Sequence, residues 1–230
     1  MTKNKKTARL VGLLFITGTV AGALSAVITA PVFSSQDYLA KTAANEALLI
    51  AGALLVLVMA FSLAMIPVVL FPLFRKYNEI LAFGAVLFRG ALEAVAYIAV
   101  ALTWLGLVTV SREFAGSGAE NAASLTHIGT LLVGLEDWSA HIVSIVFSIG
   151  ALMVYWLFYI SKLIPGWLSA WGLAGALLYL AAPLLDIIGL EGFAVLMAPL
   201  AIQEMVLAIW LIINGFNAQV TTPASDRPVQ

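Results

Sequence analysis

The sequence contains no cysteine and only two histidines among its 230 residues. The absence of cysteine excludes disulfides, thiolate metal sites, iron–sulfur clusters and cysteine nucleophiles. Charged residues are also scarce, at 10%, and the formal net charge of −1 gives no basic signature that would argue for nucleic acid as a partner. Hydrophobic residues make up 63% of the whole sequence, whereas a soluble globular domain is about half apolar. This composition indicates a polytopic protein whose main partner is the lipid bilayer.

Apolar runs long enough to cross a bilayer, about 20 residues each, occur six times. They cover residues 8–29, 45–74, 79–110, 137–159, 166–185 and 193–214. The first run is interpreted as an uncleaved span, because its one A-x-A-like site is followed directly by Pro31. The stretch 124–136 is apolar but short; it either extends the fourth helix outward or forms a short helix at the membrane interface. The sequence predicts an all-α bundle of six transmembrane helices, with seven spans as the competing interpretation.

Basic residues favour one side of this predicted bundle. Eight basic residues fall on one side of the bundle: Lys3, Lys5, Lys6, Arg9, Arg75, Lys76, Lys162 and Arg227. Two, Lys41 and Arg112, fall on the other side. Because cytoplasmic loops are enriched in Lys and Arg, both termini are expected in the cytoplasm. We expect a single transmembrane domain over residues 1–218 and a disordered cytoplasmic tail over 219–230, whose Pro, Ser and Thr content is typical of disorder.

The third and sixth predicted spans carry charged side chains far from their ends. Such side chains cost at least about 2.5 to 3.5 kcal/mol each in the hydrocarbon and usually pair inside the bundle. In the third span, Arg89 and Glu93 lie four residues apart and share one helix face. The sixth span contains Gln203 and Glu204 near mid-depth. A rise of 1.5 Å per residue places Arg89 about 14 Å and Glu204 about 12 Å from the inner surface. We therefore expect Arg89 to pair with Glu204, with Glu93 or with both.

The fourth span carries a polar stripe in the segment "DWSAHIVSIVFS". Its members, at i, i+4, i+7 and i+11, are Asp137, His141, Ser144 and Ser148, and Tyr155 continues the line. At 100° per residue the first four fall within about a 60° arc of the helix. Asp137, His141 and Glu93 are expected to form a more outward group that opens to the extracytoplasmic side. A histidine oriented by a carboxylate could bind a proton or ligand; the alternative is a helix-surface pair near the outer interface.

Three classes of function remain open. The candidates for ligand or proton binding are Arg89, Glu93, Asp137, His141, Ser144, Ser148, Gln203 and Glu204. They favour a protein that binds or moves a small solute or proton through a buried polar interior, without a cofactor. The alternative is an intramembrane hydrolase, metal-dependent through His141, Asp137 and Glu93, but histidines are few and neither H-E-x-x-H nor G-x-S-x-G occurs. We therefore lean against an enzyme. The third class is a structural or regulatory membrane subunit, in which buried ions only determine helix packing.

Several segments resemble one known family. They are "TARLVGLLFITGTVAG", "FRGALEAV", "LEDWSAHIVSIVFSIGALMVYWLFYISKLIPGWLSAWGLAGALLYL" and "APLAIQEMVLAIWLIINGF". Together they resemble the bacterial membrane family catalogued as domain of unknown function 4386, over residues 7–216. The resemblance implies a multi-pass protein of the bacterial cytoplasmic (inner) membrane with no established activity. Arg89, Glu93, His141 and Glu204 match positions where that family is expected to be polar, but it assigns them no roles.

Overall fold

A computed structural model describes residues 3–33, 35, 37–190 and 192–217, except for the side chains of residues 3, 119 and 120. The predicted disordered tail at 219–230, with Arg227, and the loop residue Glu191 lie outside these residues. The residues that are described form helices and turns and contain no β-strand, which confirms the all-α prediction.

Eight α-helices, one π-helix and one 3-10 helix make up the described chain. They are α1 (Lys3–Phe33), α2 (Tyr38–Ala44), α3 (Glu46–Phe74), α4 (Glu79–Ala85), the π-helix (Val86–Leu92), α5 (Glu93–Gly116), α6 (Ala119–Ser161), α7 (Gly166–Ile187), the 3-10 helix (Phe193–Met197) and α8 (Ala198–Ile213). Six helical segments among the described residues are long and apolar enough to cross a membrane, as predicted. Helices α4, π and α5 together form the third segment, and the 3-10 helix with α8 forms the sixth. The chain is therefore an integral, multi-pass membrane protein.

Local sequence explains where several of these helices begin. The side chain of Asn78 accepts a hydrogen bond from the backbone N–H of Leu81 at 3.0 Å and so caps α4. Pro165 precedes α7, and its carbonyl oxygen accepts from the N–H of Leu168 at 3.0 Å. Gly192 has φ of 92° at the start of the 3-10 helix, a left-handed conformation that glycine adopts without steric cost.

Helix α6 is much longer than the predicted span 137–159. It contains 43 residues without a proline, which corresponds to about 65 Å, twice the thickness of the hydrocarbon core. The stretch 124–136 is therefore an extension of α6, and the alternative of a separate short interfacial helix is wrong. Glu136 and Asp137 do not end the helix, because polar side chains can lie on an exposed or half-buried face without interrupting backbone hydrogen bonds.

The chain divides into two compact units. Unit 1 comprises Met1–Ile16, Ser62–Leu92 and Ser144–Gln230, and unit 2 comprises Thr17–Phe61 and Glu93–Val143. Unit 1 thus contains the π-helix, α7 and α8, whereas unit 2 contains α2 and α5.

Close helix contacts hold unit 1 together. A Cβ added at Gly12 would lie 2.6 Å from the carbonyl oxygen of Ala208, so α1 and α8 can approach only because residue 12 has no side chain. The rings of Phe74 and Phe158 meet edge to face with their centroids 4.9 Å apart. Close glycine and aromatic contacts therefore contribute to the packing of this unit's interior.

Unit 2 is built around an apolar cluster to which α2, α3, α5 and α6 contribute. The Trp104 ring lies 5.2 Å from that of Phe33, and it also faces the bare backbone of Gly52. The short helix α2, which the sequence did not predict, is tied to α6 through the Tyr38 hydroxyl, 3.2 Å from the carbonyl oxygen of Thr126.

Candidate functional site

A buried ion pair lies inside unit 1. Nη2 of Arg89 donates to Oε1 of Glu204 at 2.9 Å, and the two side chains are only 2% and 10% exposed. The predicted pairing of these two residues is present in the structure. A charge withdrawn from water needs an opposite charge at this distance, because its lost hydration is otherwise uncompensated.

The guanidinium group of Arg89 also contacts an aromatic face. Its central carbon lies 4.1 Å from the ring centroid of Phe147, a cation–π geometry that contributes about 0.5 to 2 kcal/mol. The Phe147 ring in turn packs 4.7 Å from that of Tyr179 on α7. Arg89 is therefore held by α6 as well as by α8.

The backbone that carries Arg89 is a π-helix of seven residues, Val86–Leu92, which the sequence did not predict. π-Helices are rare, appear mostly as short bulges inside α-helices, and frequently lie at functional sites. Two glycines let neighbouring helices approach this segment. A Cβ at Gly150 on α6 would lie 2.6 Å from the backbone nitrogen of Arg89, and one at Gly90 would lie 3.5 Å from the carbonyl oxygen of Ala64 on α3. Tight packing on both sides thus holds the π-helical turn around Arg89.

Two neutral polar groups lie close to the ion pair. The amide nitrogen of Gln203 donates to the carbonyl oxygen of Leu168 at 2.9 Å, whereas its amide oxygen has no hydrogen-bond partner among the described residues. The hydroxyl of Tyr155 lies near the side chain of Gln203 and within electrostatic reach of Arg89 and Glu204. It too lacks a hydrogen bond within the described part of the chain. Tyr155 was outside the predicted candidates, although it continues the polar stripe of the fourth span.

The polar stripe on α6 divides between the two units. In unit 1, Ser148 is buried and its hydroxyl donates to the carbonyl oxygen of Ser144 at 2.7 Å, one turn back on the same helix. Ser144 itself is half-buried. Serine hydroxyls commonly bond their own helix backbone in this way. A ligand-binding role for these two serines remains a prediction.

In unit 2, Asp137 is exposed and His141 is partly buried. Nδ1 of His141 lies 2.7 Å from the backbone carbonyl oxygen of Asp137, and its ring lies 5.9 Å from that of Trp138. Glu93, the first residue of α5, is only 2% exposed. A shared outward group of Glu93, Asp137 and His141 therefore remains a prediction, as does pairing between Arg89 and Glu93.

The alternative of a metal centre at these three residues remains a prediction. In the described ranges, no group of three or more His, Cys, Asp or Glu side chains is placed to hold a metal ion. The side chain of Asp137 is exposed, whereas that of Glu93 is buried.

The chain matches one protein-family model, Domain of unknown function (DUF4386), over residues 10–215. The chain belongs to this family. None of the curated proteins matches it, and neither does any solved structure.

One acidic residue of this DUF4386 protein was missed by the sequence prediction. Glu136 is half-buried, and its carboxyl group lies near the indole N–H of Trp104. That N–H is buried and does not reach hydrogen-bond geometry with any described residue. The helical spacing indicates which way Glu136 points. Leu132 lies one turn before Glu136 on α6 and faces Gly106 of α5, so Glu136 lies on the same face of α6.

Two open pockets lie in unit 2 of the DUF4386 chain. One, of about 90 Å³, is lined by residues that include Tyr38 and Phe114, and the other, of about 510 Å³, by residues that include Glu113 and Asn121. Neither pocket contains a predicted site residue. The Arg89–Glu204 pair is therefore the best-defined polar site in the described residues.

Proposed function

We propose that this protein binds or moves a small solute or proton through the polar interior of unit 1, at the Arg89–Glu204 pair. One observation carries the proposal: the buried Arg89–Glu204 ion pair lies beside two further buried polar side chains, those of Tyr155 and Gln203. Intramembrane ionisable residues that face an interior typically mark paths or sites for ions and substrates.

A purely structural ion pair is the main competing explanation. An ion pair that only held helices together would not need further polar groups beside it, yet the side chains of Tyr155 and Gln203 are buried there as well. The rare π-helix under Arg89 adds a second unusual feature at the same place. Both features favour a site that accepts a ligand.

The distribution of positive charge supports a membrane orientation for this proposal. The described basic loop and end residues of unit 1 are Lys5, Lys6, Arg9, Arg75, Lys76 and Lys162, whereas those of unit 2 are Lys41 and Arg112. Under the positive-inside rule, the helix ends of unit 1 that carry them face the cytoplasm of a bacterial cell. The Arg89–Glu204 pair would then be reached from the inner membrane's cytoplasmic half.

The test uses purified protein reconstituted into liposomes that contain a pH-sensitive dye. We expect the wild type to dissipate an imposed proton gradient faster than protein-free liposomes, or to be stabilised against heat by at least one compound in a panel of small solutes. Glu204→Gln removes the carboxylate charge with little change of shape and should abolish whichever response is seen. Glu79→Gln is the matched control, because Glu79 is exposed at the start of α4; it should behave like the wild type.

Two results would contradict the proposal. One is a wild-type protein that shows neither proton flux nor stabilisation by any solute. The other is a response that Glu204→Gln leaves intact while only lowering thermal stability, since this would favour a structural ion pair.

A further inference from the structure

We propose that the basic residues around the C-terminal end of α8 bind the phosphate headgroup of an anionic phospholipid. These residues, which we call the basic cluster, are Lys5, Lys6 and Arg9 at the start of α1 and Lys162 in the turn between α6 and α7. All of them belong to unit 1. The inference concerns another part of that unit than the Arg89–Glu204 pair and does not depend on the proposed function.

The start of α1 packs against the end of α8. Nε of Arg9 donates to the backbone carbonyl oxygen of Ile212, in the last turn of α8, at 3.2 Å. One turn earlier on α1, the Lys5 side chain lies against Gly215, because a Cβ built on this glycine would be 3.6 Å from Cγ of Lys5. Two basic side chains, one turn apart on α1, therefore flank the end of α8.

The turn after α6 is held against the same end of α8. Nδ2 of Asn217 donates to the carbonyl oxygen of Lys162 at 2.6 Å, and the backbone N–H of Asn217 donates to that of Leu163 at 2.9 Å. Asn217 is only two residues beyond Gly215, a length of chain that spans at most about 7 Å. Lys162 is exposed. The short segment after α8 therefore has Lys5 at one end and Lys162 at the other.

The lysines of the basic cluster are not neutralised by acidic side chains. Among the described residues, Lys5, Lys6 and Lys162 form no ion pair. The described acidic residues of unit 1 thus pair with none of these lysines; they are Glu79, Asp186 and Glu204. The cluster therefore carries a local excess of positive charge.

The end of α8 offers only a partial negative charge to this cluster. A helix macrodipole is equivalent to about half an elementary charge at its C-terminus, and Arg9 already donates to a carbonyl oxygen there. The three lysines therefore add more positive charge than the helix end can balance. An anion is the partner that this charge attracts, and phosphate oxygens accept strong hydrogen bonds from ammonium and guanidinium groups.

Neighbouring side chains favour a lipid over a soluble anion. Trp167, the second residue of α7, is 54% exposed, and its ring meets that of Trp210 in the last turn of α8 edge to face, with centroids 6.4 Å apart. Exposed tryptophan is enriched where the hydrocarbon meets water. Ile209 and Ile213, one turn apart on α8, are 54% and 65% exposed and offer an apolar face for acyl chains. Positive charge, an interfacial tryptophan and an apolar face thus meet at one helix end.

A purely topological role for these basic residues is the competing explanation. Lysine and arginine accumulate at cytoplasmic helix ends whether or not they bind a particular lipid. Such a role requires positive charge on one side of the membrane, but it does not require residues far apart in sequence to converge on one helix end, as Lys5 and Lys162 do.

The test is native mass spectrometry of the full chain in detergent, titrated with phosphatidylglycerol or with phosphatidylcholine of the same acyl chains. We expect the wild type to bind phosphatidylglycerol more tightly, with a difference that shrinks as ionic strength rises. A lysine near an anionic surface strengthens binding about fivefold, so Lys5→Gln combined with Lys162→Gln should weaken phosphatidylglycerol binding about 25-fold. Binding of phosphatidylcholine should change far less.

Two further double variants separate local charge from other effects. Lys41→Gln combined with Lys76→Gln is the matched control, because it removes the same total charge from two exposed lysines outside the basic cluster. It should bind phosphatidylglycerol like the wild type. Lys5→Arg combined with Lys162→Arg keeps both charges and should also bind normally, which excludes a loss caused only by altered packing.

Three results would overturn the inference. The first needs no variant and is equal affinity of the wild type for the two lipids. The second is an equal loss of binding in the matched control, since binding would then depend on overall charge. The third is displacement of phosphatidylglycerol by inorganic phosphate at constant ionic strength, since the cluster would then take a soluble anion. If phosphatidylglycerol binds as expected while Glu204→Gln leaves every transport or solute response intact, the proposed function fails and this inference stands.

Discussion

The two polar stretches that stand out in the sequence have different surroundings in the structure. Arg89 and its partner Glu204 in unit 1 are 2% and 10% exposed as side chains, whereas Asp137 on α6 in unit 2 is exposed. Both stretches show the same helical spacing and the same mixture of acid and base. Helical spacing therefore identifies a face of a helix, but it does not reveal what covers that face.

The neighbours of each stretch account for the difference. Arg89 is approached by the bare backbone of Gly150 and by the ring of Phe147, and it is only 2% exposed. Asp137 is flanked on α6 by Trp138 and Ile142, which are 58% and 54% exposed. That side of α6 is uncovered by protein, so the Asp137 side chain needs no buried partner.

The largest expected effect is that of Glu204→Ala. Removing one member of a buried ion pair leaves the other charge uncompensated, so the free energy of unfolding should fall by about 3 to 5 kcal/mol. Reversible unfolding in mixed detergent micelles would measure it. Adding Arg89→Met should recover much of the loss, because the stranded charge is then removed. If Glu204→Ala changed the free energy of unfolding by less than about 0.5 kcal/mol, as ordinary surface substitutions do, the pair would not be effectively buried.

The second effect, of intermediate size, is that of Gly150→Ala. Its new Cβ would lie 2.6 Å from the backbone nitrogen of Arg89, so α6 or the π-helix must shift. Overpacking of this kind costs about 1 to 3 kcal/mol. Gly134→Ala is the matched control on the same helix, because nothing lies within 4 Å of its Cβ position. The control should be neutral or stabilising by up to about 1 kcal/mol. Equal stabilities for the two variants, measured in the same unfolding assay, would contradict the close contact at Arg89.

The smallest effect is expected for Asp137→Ala. The Asp137 side chain is exposed, so the free energy of unfolding should change by no more than about 0.5 kcal/mol. The same unfolding measurement applies. A loss approaching that of Glu204→Ala would instead show that Asp137 belongs to a buried network, and the contrast between the two stretches would disappear.

Much of the fold could be predicted because its causes are local in the sequence. The number of spans depends on the length of apolar runs relative to the thickness of the hydrocarbon, and the six predicted runs correspond to the six described segments. The main error, at the start of α6, arose where Glu136 and Asp137 lower the local hydropathy. A helix continues through such residues as long as its backbone hydrogen bonds are intact.

The sequence by itself determined the all-α membrane class, because hydrophobic length is a property of the chain alone. It also predicted similar depths for Arg89 and Glu204 from the helical rise. Only the tertiary structure decided that these two residues pair, that Arg89 lies on a π-helix, and that Tyr155 and Gln203 are buried beside the pair. These features depend on which helix faces are brought together and how closely. That is decided by contacts between residues far apart in sequence, such as Gly150 with Arg89 and Gln203 with Leu168.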